Sequence, residues 1–268
     1  MTVERPDYDT IARKWDDREY LREPVTGAIM ERLPGIPDGA LVLDMGCGTG
    51  EPGLTVKARY PASRLLGVDI SEPMIALARS KARRLGDVSF ETRPMSDTGA
   101  GPASVDVLVS RFALLYEEHR DVRPSLAEAA RVLRPGGAFS LAVWDRAELN
   151  TLIALLHGAV GDLAGAAALP DPFAYDVLAT PGRRARLLRE AGFAVVEEAA
   201  FTFDYRIAGR AALLDVLHTS PYGPFVGTLG AADRAAVEDR VTARAAVHAE
   251  PDGGYRIPIT CRLLWGRR

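Results

Sequence analysis

Val42-Leu43-Asp44-Met45-Gly46-Cys47-Gly48-Thr49-Gly50 is the stretch on which the fold turns. It leaves a short apolar run at 40–43, passes an acid, alternates glycine with other residues, and is followed by Pro52. Proline suits the first turn of a helix, so the stretch reads as strand, tight loop, helix. Glycine permits positive φ and lets backbone approach a ligand closely. Three alternate glycines exceed what a turn alone requires. Such a loop sets a polar or anionic ligand beside a helix N-terminus, at the place where doubly wound sheets bind ligands.

Outward from the loop, strand and helix alternate. Strands are expected at 40–43, 65–68, 88–91, 105–110 and 138–144, with helices at 52–60, 71–85 and 124–133. Ser71 is a good N-cap and Gly86 a stop for the second of these helices, and Pro135-Gly136-Gly137 turns into the last strand. Strands separated by helices of this length imply right-handed βαβ units and a parallel sheet. Upstream, Ile11 and Trp15, then Leu21, Val25 and Ile29, recur four apart, and the cluster Pro34, Gly35, Pro37, Gly39 ends that helical region. Downstream the alternation weakens. Helices are expected at 149–168, 182–191, 209–219 and 231–249 and strands at 193–205 and 255–265, with Phe173, Tyr175, Tyr222 and Phe225 in loops between helices.

The chain has 268 residues, a formal charge of −3, 47% hydrophobic and 26% charged residues, and two cysteines. That suits a globular protein of one large domain, or a domain with a sizeable addition, able to bury its own core. Cys47 and Cys261 are too few for a disulfide framework or a four-cysteine zinc site. The slight acidity removes any overall attraction to nucleic acid. Residues 1–20 lack the apolar core of a signal peptide, and the apolar run 152–169 is broken by His157 and Asp162. A cytoplasmic protein without membrane or nucleic-acid partners is expected, a homodimer being admissible. Lysine occurs only at Lys14, Lys57 and Lys81, asparagine only at Asn150, and glutamine not at all. Losing all three, with abundant alanine, points to a GC-rich, bacterial source. No His/Asp/Glu cluster has metal-ligand spacing, so no metal is expected.

Leu65-Leu66-Gly67-Val68-Asp69 puts a carboxylate at the end of the second strand, about twenty residues past the loop, where it can accept from both hydroxyls of a ribose. Gly48-Thr49-Gly50-Glu51-Pro52-Gly53 also satisfies the dinucleotide pattern, which keeps an NAD(P)-dependent oxidoreductase as an alternative, although Glu51 would lie near a pyrophosphate. Taken together, Asp44 to Gly50, Gly67-Val68-Asp69-Ile70-Ser71 with Met74, and Arg131-Val132-Leu133-Arg134-Pro135-Gly136-Gly137 resemble, in order and spacing over roughly residues 6–145, successive motifs of the class I S-adenosylmethionine-dependent methyltransferases. Tyr8-Asp9, Ala12 and Trp15-Asp16 resemble the N-terminal helix that closes over the cofactor in the small-molecule (type 11-like) subgroup; the strand at 255–265 resembles that subgroup's last strand more loosely.

The resemblance implies an α/β, Rossmann-like, seven-stranded, mostly parallel sheet with an antiparallel last strand, N-terminal helices and a helical substrate cap. A single methyltransferase domain is then expected over 1–268, with a lid at 1–37, a cofactor core at 38–145, and sheet completion plus cap at 146–268, the cap mainly at 147–182 and 209–249. The cofactor is S-adenosylmethionine, leaving as S-adenosylhomocysteine. Implied contacts are the backbone of Gly46, Gly48 and Gly50 to the methionyl part, with Asp44 and Cys47 in the same loop, Asp69 to the ribose, and Ile70 and Met74 to the adenine face. The family often has an acid after strand three. That place falls on Pro94-Met95, so the acid is missing or displaced to Asp97, with Met95 packing on the ring and the Ser96 N–H bonding it. Ser110, Arg111 and Phe112 fall near the sulfonium, Arg111 as a partner for the cofactor carboxylate, and Tyr8 and Trp15 come from the lid.

Methyl transfer is an in-line displacement in which alignment accounts for much of the acceleration. A general base is needed only for a weakly acidic nucleophile, and Tyr116, His119 and His157 are the candidates. The expected activity is methylation of oxygen, carbon or nitrogen on a small organic acceptor, a bacterial secondary metabolite in antibiotic biosynthesis. A further alternative is a cyclase or binding protein that keeps the cofactor without methyl transfer.

Overall fold

The computed structural model describes residues 8–114, 121–164, 182–220 and 222–268. Its elements follow the alternation of the sequence. After α1 (Tyr8–Asp17) and α2 (Glu23–Glu31) come β1 (Leu41–Met45), α3 (Gly53–Arg59), β2 (Arg64–Asp69), α4 (Glu72–Ala82), β3 (Val88–Thr92), β4 (Val105–Arg111), α5 (Arg123–Val132) and β5 (Leu133–Trp144). Then follow α6 (Thr151–Ala164), α7 (Arg183–Glu190), β6 (Val195–Ile207), α8 (Arg210–Thr219), α9 (Gly223–Thr228), α10 (Ala231–Ala245) and β7 (Tyr255–Arg267). No described helix is long and apolar enough to cross a membrane.

The seven strands form one sheet in the order β3-β2-β1-β4-β5-β7-β6. β1 pairs in parallel with β2 and β4, β2 with β3, and β4 with β5, while β7 runs antiparallel to β5. This is the expected Rossmann-like fold. β1 is apolar except for Asp44 and is buried along nearly its whole length, as a central parallel strand covered on both faces must be. Chain order reverses between β1 and β4, so the loop after β1 and the residues after β4 share the topological switch point.

Two details depart from expectation. β5 begins at Leu133 rather than 138, drawing Pro135–Gly137 into the strand, and its pairing with β4 shifts register between Val105 and Val107. α9 takes up Phe225, and Tyr222, expected in a loop, lies fully buried at its start. Ser71 caps α4 as predicted, its hydroxyl accepting the Met74 N–H at 3.4 Å.

The chain divides into two compact units. The described part of the first is 8–114, 121–144, 182–201 and 261–268, and holds the sheet and its flanking helices. Its core joins Leu43, Met45 and Leu108 to Leu126, Phe139 and Leu188, with Phe139 edge-on to Phe193 at 4.9 Å. The described part of the second is 145–164, 202–220 and 222–260. There α6 packs on α10, with Arg244 lying over Gly158 and reaching Asp162 at 2.8 Å.

Candidate active site

The glycine loop begins where β1 ends. Gly46 and Cys47 both donate their N–H to the Val68 carbonyl, at 2.8 and 3.0 Å, which turns the chain off the sheet. Gly46 has φ +71°, and a Cβ there would stand 2.1 Å from Ala113 Cβ, so the loop and the turn after β4 touch only because this residue is glycine. Gly48, at φ +51°, presents its would-be Cβ side to open space.

Asp69 is held beside that space. Its Oδ2 accepts from the Gly48 N–H at 2.9 Å and its Oδ1 from the Ser71 N–H at 3.0 Å. Ile70, next to it, is 42% exposed despite being apolar, an accessible face of the kind a ring covers. Met95 closes the third side, its sulfur 3.3 Å from the position of a Gly46 Cβ. Ser96 is exposed in the turn closed by Asp97 N–H to the Pro94 carbonyl at 3.0 Å.

The acids around the loop bear on which ligand it can take. Asp44 is fully buried; its Oδ2 accepts the Gly53 N–H at 2.8 Å, and Oδ1 has no hydrogen-bond partner among the described residues. Burial, together with Glu51 and Asp69, pushes its carboxyl up to about 7, against the opposing Gly53 bond and Arg111. Glu51 is also raised by burial, while its Oε2 accepts the Thr55 N–H at 3.1 Å and the Thr55 hydroxyl at 2.7 Å. Two carboxylates thus already occupy N–H groups of the first turn of α3, where a dinucleotide pyrophosphate would sit. A pyrophosphate would find these donors already taken, which disfavours a dinucleotide at this loop.

The titration of Asp44 gives a prediction. The folded chain keeps a proton that the unfolded chain releases near the ordinary value of 3.8, so stability falls as pH climbs from there to about 7 and is flat beyond. A cationic ligand favours the ionised form, so affinity for S-adenosylmethionine should rise through the same window. Calorimetric titration between about pH 5.5 and 8.5 should show that rise, and Asp44→Asn should flatten it.

The N-terminal segment lies on the loop. α1 packs on α4, and Asp16 bonds Lys81 at 2.8 Å and the side chain of Thr49. Trp15 is partly exposed, with the Arg22 guanidinium 4.0 Å from its ring centre. Tyr8 is the first residue of α1.

Several expected contacts have other places. Arg111, expected as a partner for the cofactor carboxylate, is paired within the chain: with Glu19, Nη1 to Oε1 at 2.5 Å and Nη2 to Oε2 at 2.8 Å, and with the Thr26 hydroxyl at 2.6 Å. Ser110 is fully buried, donating to the Met45 carbonyl at 2.6 Å and accepting from the Leu114 N–H at 3.0 Å, so it ties β4 to β1. Met74 is 2% exposed and backs the site from the core, and Cys47, 1% exposed with its thiol raised by burial, is filler beneath the loop. Gly50 is buried too, its N–H donating to the Cys47 carbonyl at 2.8 Å. Phe112 takes φ +61° and stacks on Trp144. His157 belongs to the second unit, with Nδ1 3.2 Å from the Tyr222 hydroxyl. Tyr116 and His119, like Phe173 and Tyr175, lie outside the described residues.

Sequence reading passed over Glu19, Thr49 and Trp144. Thr49 carried a signal in its place between two loop glycines; Glu19 and Trp144 carried none, because their partners are distant in sequence.

Residues 42–137 match the sequence family described as a methyltransferase domain. A trans-aconitate 2-methyltransferase from Methylobacterium nodulans is 29% identical over 271 residues, covering 95% of this chain and 98% of the relative. One from Azoarcus sp. is 28% identical over 243 residues, covering 86% and 93%. The solved structure of the YcgJ protein from Bacillus subtilis superposes with a TM-score of 0.57 at 17% identity, over 92% of this chain and 99% of that one, a likeness of fold. With the strand order, these matches support a class I S-adenosylmethionine-dependent methyltransferase and set the nicotinamide alternative aside: residues 42–137 match a methyltransferase domain.

Proposed function

We propose that this protein transfers the methyl group of S-adenosylmethionine to a carboxylate oxygen of a small unsaturated organic acid. The observation that supports the acceptor class is similarity, nearly end to end, to trans-aconitate 2-methyltransferases. A secondary-metabolite acceptor draws no support from these relatives.

Bound at the loop, the cofactor supplies an electrophilic methyl on a sulfonium. The chain's part is to bind and orient. Asp69 holds the ribose, the backbone of Gly46 and Gly48 lies along the methionyl part, Ile70 and Met95 flank the adenine, and the α1 segment, fixed through Asp16, shields the site from water. A carboxylate, ordinarily ionised above about pH 4–5, is already a nucleophile at neutral pH and needs no base. Tyr116, His119 and His157 then have no proton to remove. Single replacements Tyr116→Phe, His119→Ala and His157→Ala should each leave kcat flat between about pH 6.5 and 9; a rising limb abolished by one of them would instead indicate a hydroxyl or amine nucleophile.

The direct test is incubation with methyl-labelled S-adenosylmethionine and trans-aconitate. A base-labile labelled ester is expected. A base-stable product would move the reaction to carbon or nitrogen. No labelled product from a panel of unsaturated acids, despite tight S-adenosylhomocysteine binding, would favour a cyclase or binding protein on this fold.

A further inference from the structure

Phe112 follows the last residue of β4 and Trp144 ends β5. Their rings lie parallel, centroids 3.7 Å apart and planes 5° apart. Phe112 reaches that position at φ +61°, a strained conformation for a bulky residue that persists only where its surroundings enforce it. Here they do. The Phe112 N–H donates to the Ala142 carbonyl at 2.7 Å, and the Ser110 hydroxyl bridges the Met45 carbonyl and the Leu114 N–H on either side of the turn. Trp144 is fixed from behind, its carbonyl accepting from the buried Arg184 at 3.1 Å.

Strain of this kind gathers at functional sites, and the position agrees. Ala113, the next residue, abuts Gly46 of the cofactor loop. Stacking uses one face of each ring. Phe112 is 8% exposed, whereas Trp144 stays partly exposed, so the aromatic surface left on offer belongs to Trp144.

We propose that Trp144, propped by Phe112, is the platform on which the acceptor lies, and that it selects flat, conjugated acceptors over saturated ones of the same charge and outline. An sp2 framework lies against an indole face and gains stacking contact; a puckered one meets it edge-on. The inference rests on the methyltransferase reading and narrows its acceptor.

The test uses the full chain saturated with S-adenosylhomocysteine and two matched pairs of probes: trans-aconitate against propane-1,2,3-tricarboxylate, and benzoate against cyclohexanecarboxylate. Binding is followed by tryptophan fluorescence and calorimetry. The wild type should prefer the flat member of at least one pair by roughly tenfold or more, the scale of one stacking contact. Trp144→Leu should erase that preference while S-adenosylhomocysteine affinity stays within about twofold, and Trp144→Phe should keep most of it. No preference in the wild type, or a preference that survives in Trp144→Leu, overturns the platform and leaves the methyltransferase reading standing. Failure of S-adenosylhomocysteine to bind overturns that reading and the platform with it.

Discussion

Asp69→Ala should lower affinity for S-adenosylhomocysteine a little over a hundredfold, about 3 kcal/mol for two charge-assisted hydrogen bonds to a ribose. The effect is large because the carboxylate works twice. It accepts from the Gly48 and Ser71 N–H groups, at 2.9 and 3.0 Å, which shapes the loop before any ligand arrives. The same carboxylate then meets the ribose in place. Asp69→Asn separates the two roles. The amide can keep one backbone N–H through its oxygen, but its NH2 group faces the other N–H, so an intermediate loss of about 1.5–2 kcal/mol is expected. Calorimetric titration of the folded variants reads both numbers. Unchanged affinity in Asp69→Ala would remove Asp69 from the cofactor site, and with it the main support for how that site is built.

Asp69 also marks what local sequence can disclose. Loop glycines, a strand-end acid and the Ser71 cap are local features: each follows from backbone geometry within a few residues, and spacing reveals it. The sheet is legible for the same reason, since each strand is a short apolar run between breakers. Arg111 shows the limit. Its place at the end of β4 is readable, but its partner Glu19 lies 92 positions away in a charged segment with many other acids. Nothing local distinguishes an arginine waiting for a ligand from one already paired. Trp144 is hidden similarly, since only the turn of Phe112 to positive φ stacks the two rings. α9 escapes because Tyr222-Gly223-Pro224 reads as a breaker, although Tyr222 is buried where that helix begins.

Glu19→Ala should destabilise the protein by about 3 kcal/mol, near the lower end expected for stripping one member from a buried pair. Arg111 is 4% exposed in its side chain and Glu19 24%. Removing Glu19 leaves a guanidinium in the interior with the Thr26 hydroxyl, at 2.6 Å, and the Arg22 carbonyl, at 3.4 Å, and, among the described residues, no ion-paired counter-charge, only the electrostatic influence of Asp44 and Glu51. For a chain of this size the change corresponds to a fall in Tm of about 5 °C. The loss comes from the unpaired charge and not from missing attraction, since a buried pair gains little over apolar packing. Glu19→Ala with Arg111→Met should therefore recover most of the stability that the single variant loses.

The pH dependence has a definite sign. Burial raises the Glu19 carboxyl, but Arg111, by charge and hydrogen bonds, and then Arg22 more than reverse this and hold it below the ordinary value of 4.5. Stability from the pair is thus complete above that value and is lost as pH falls through the depressed one. The variant should lack this acid-limb loss. Because the pair fastens the segment after α1 to the end of β4, hydrogen exchange in α1 should accelerate in Glu19→Ala more than in the strands. A Tm within 2 °C of wild type, with α1 exchange unchanged, would show that the N-terminal segment is held without this pair, by its packing on α4 and the Asp16 contacts.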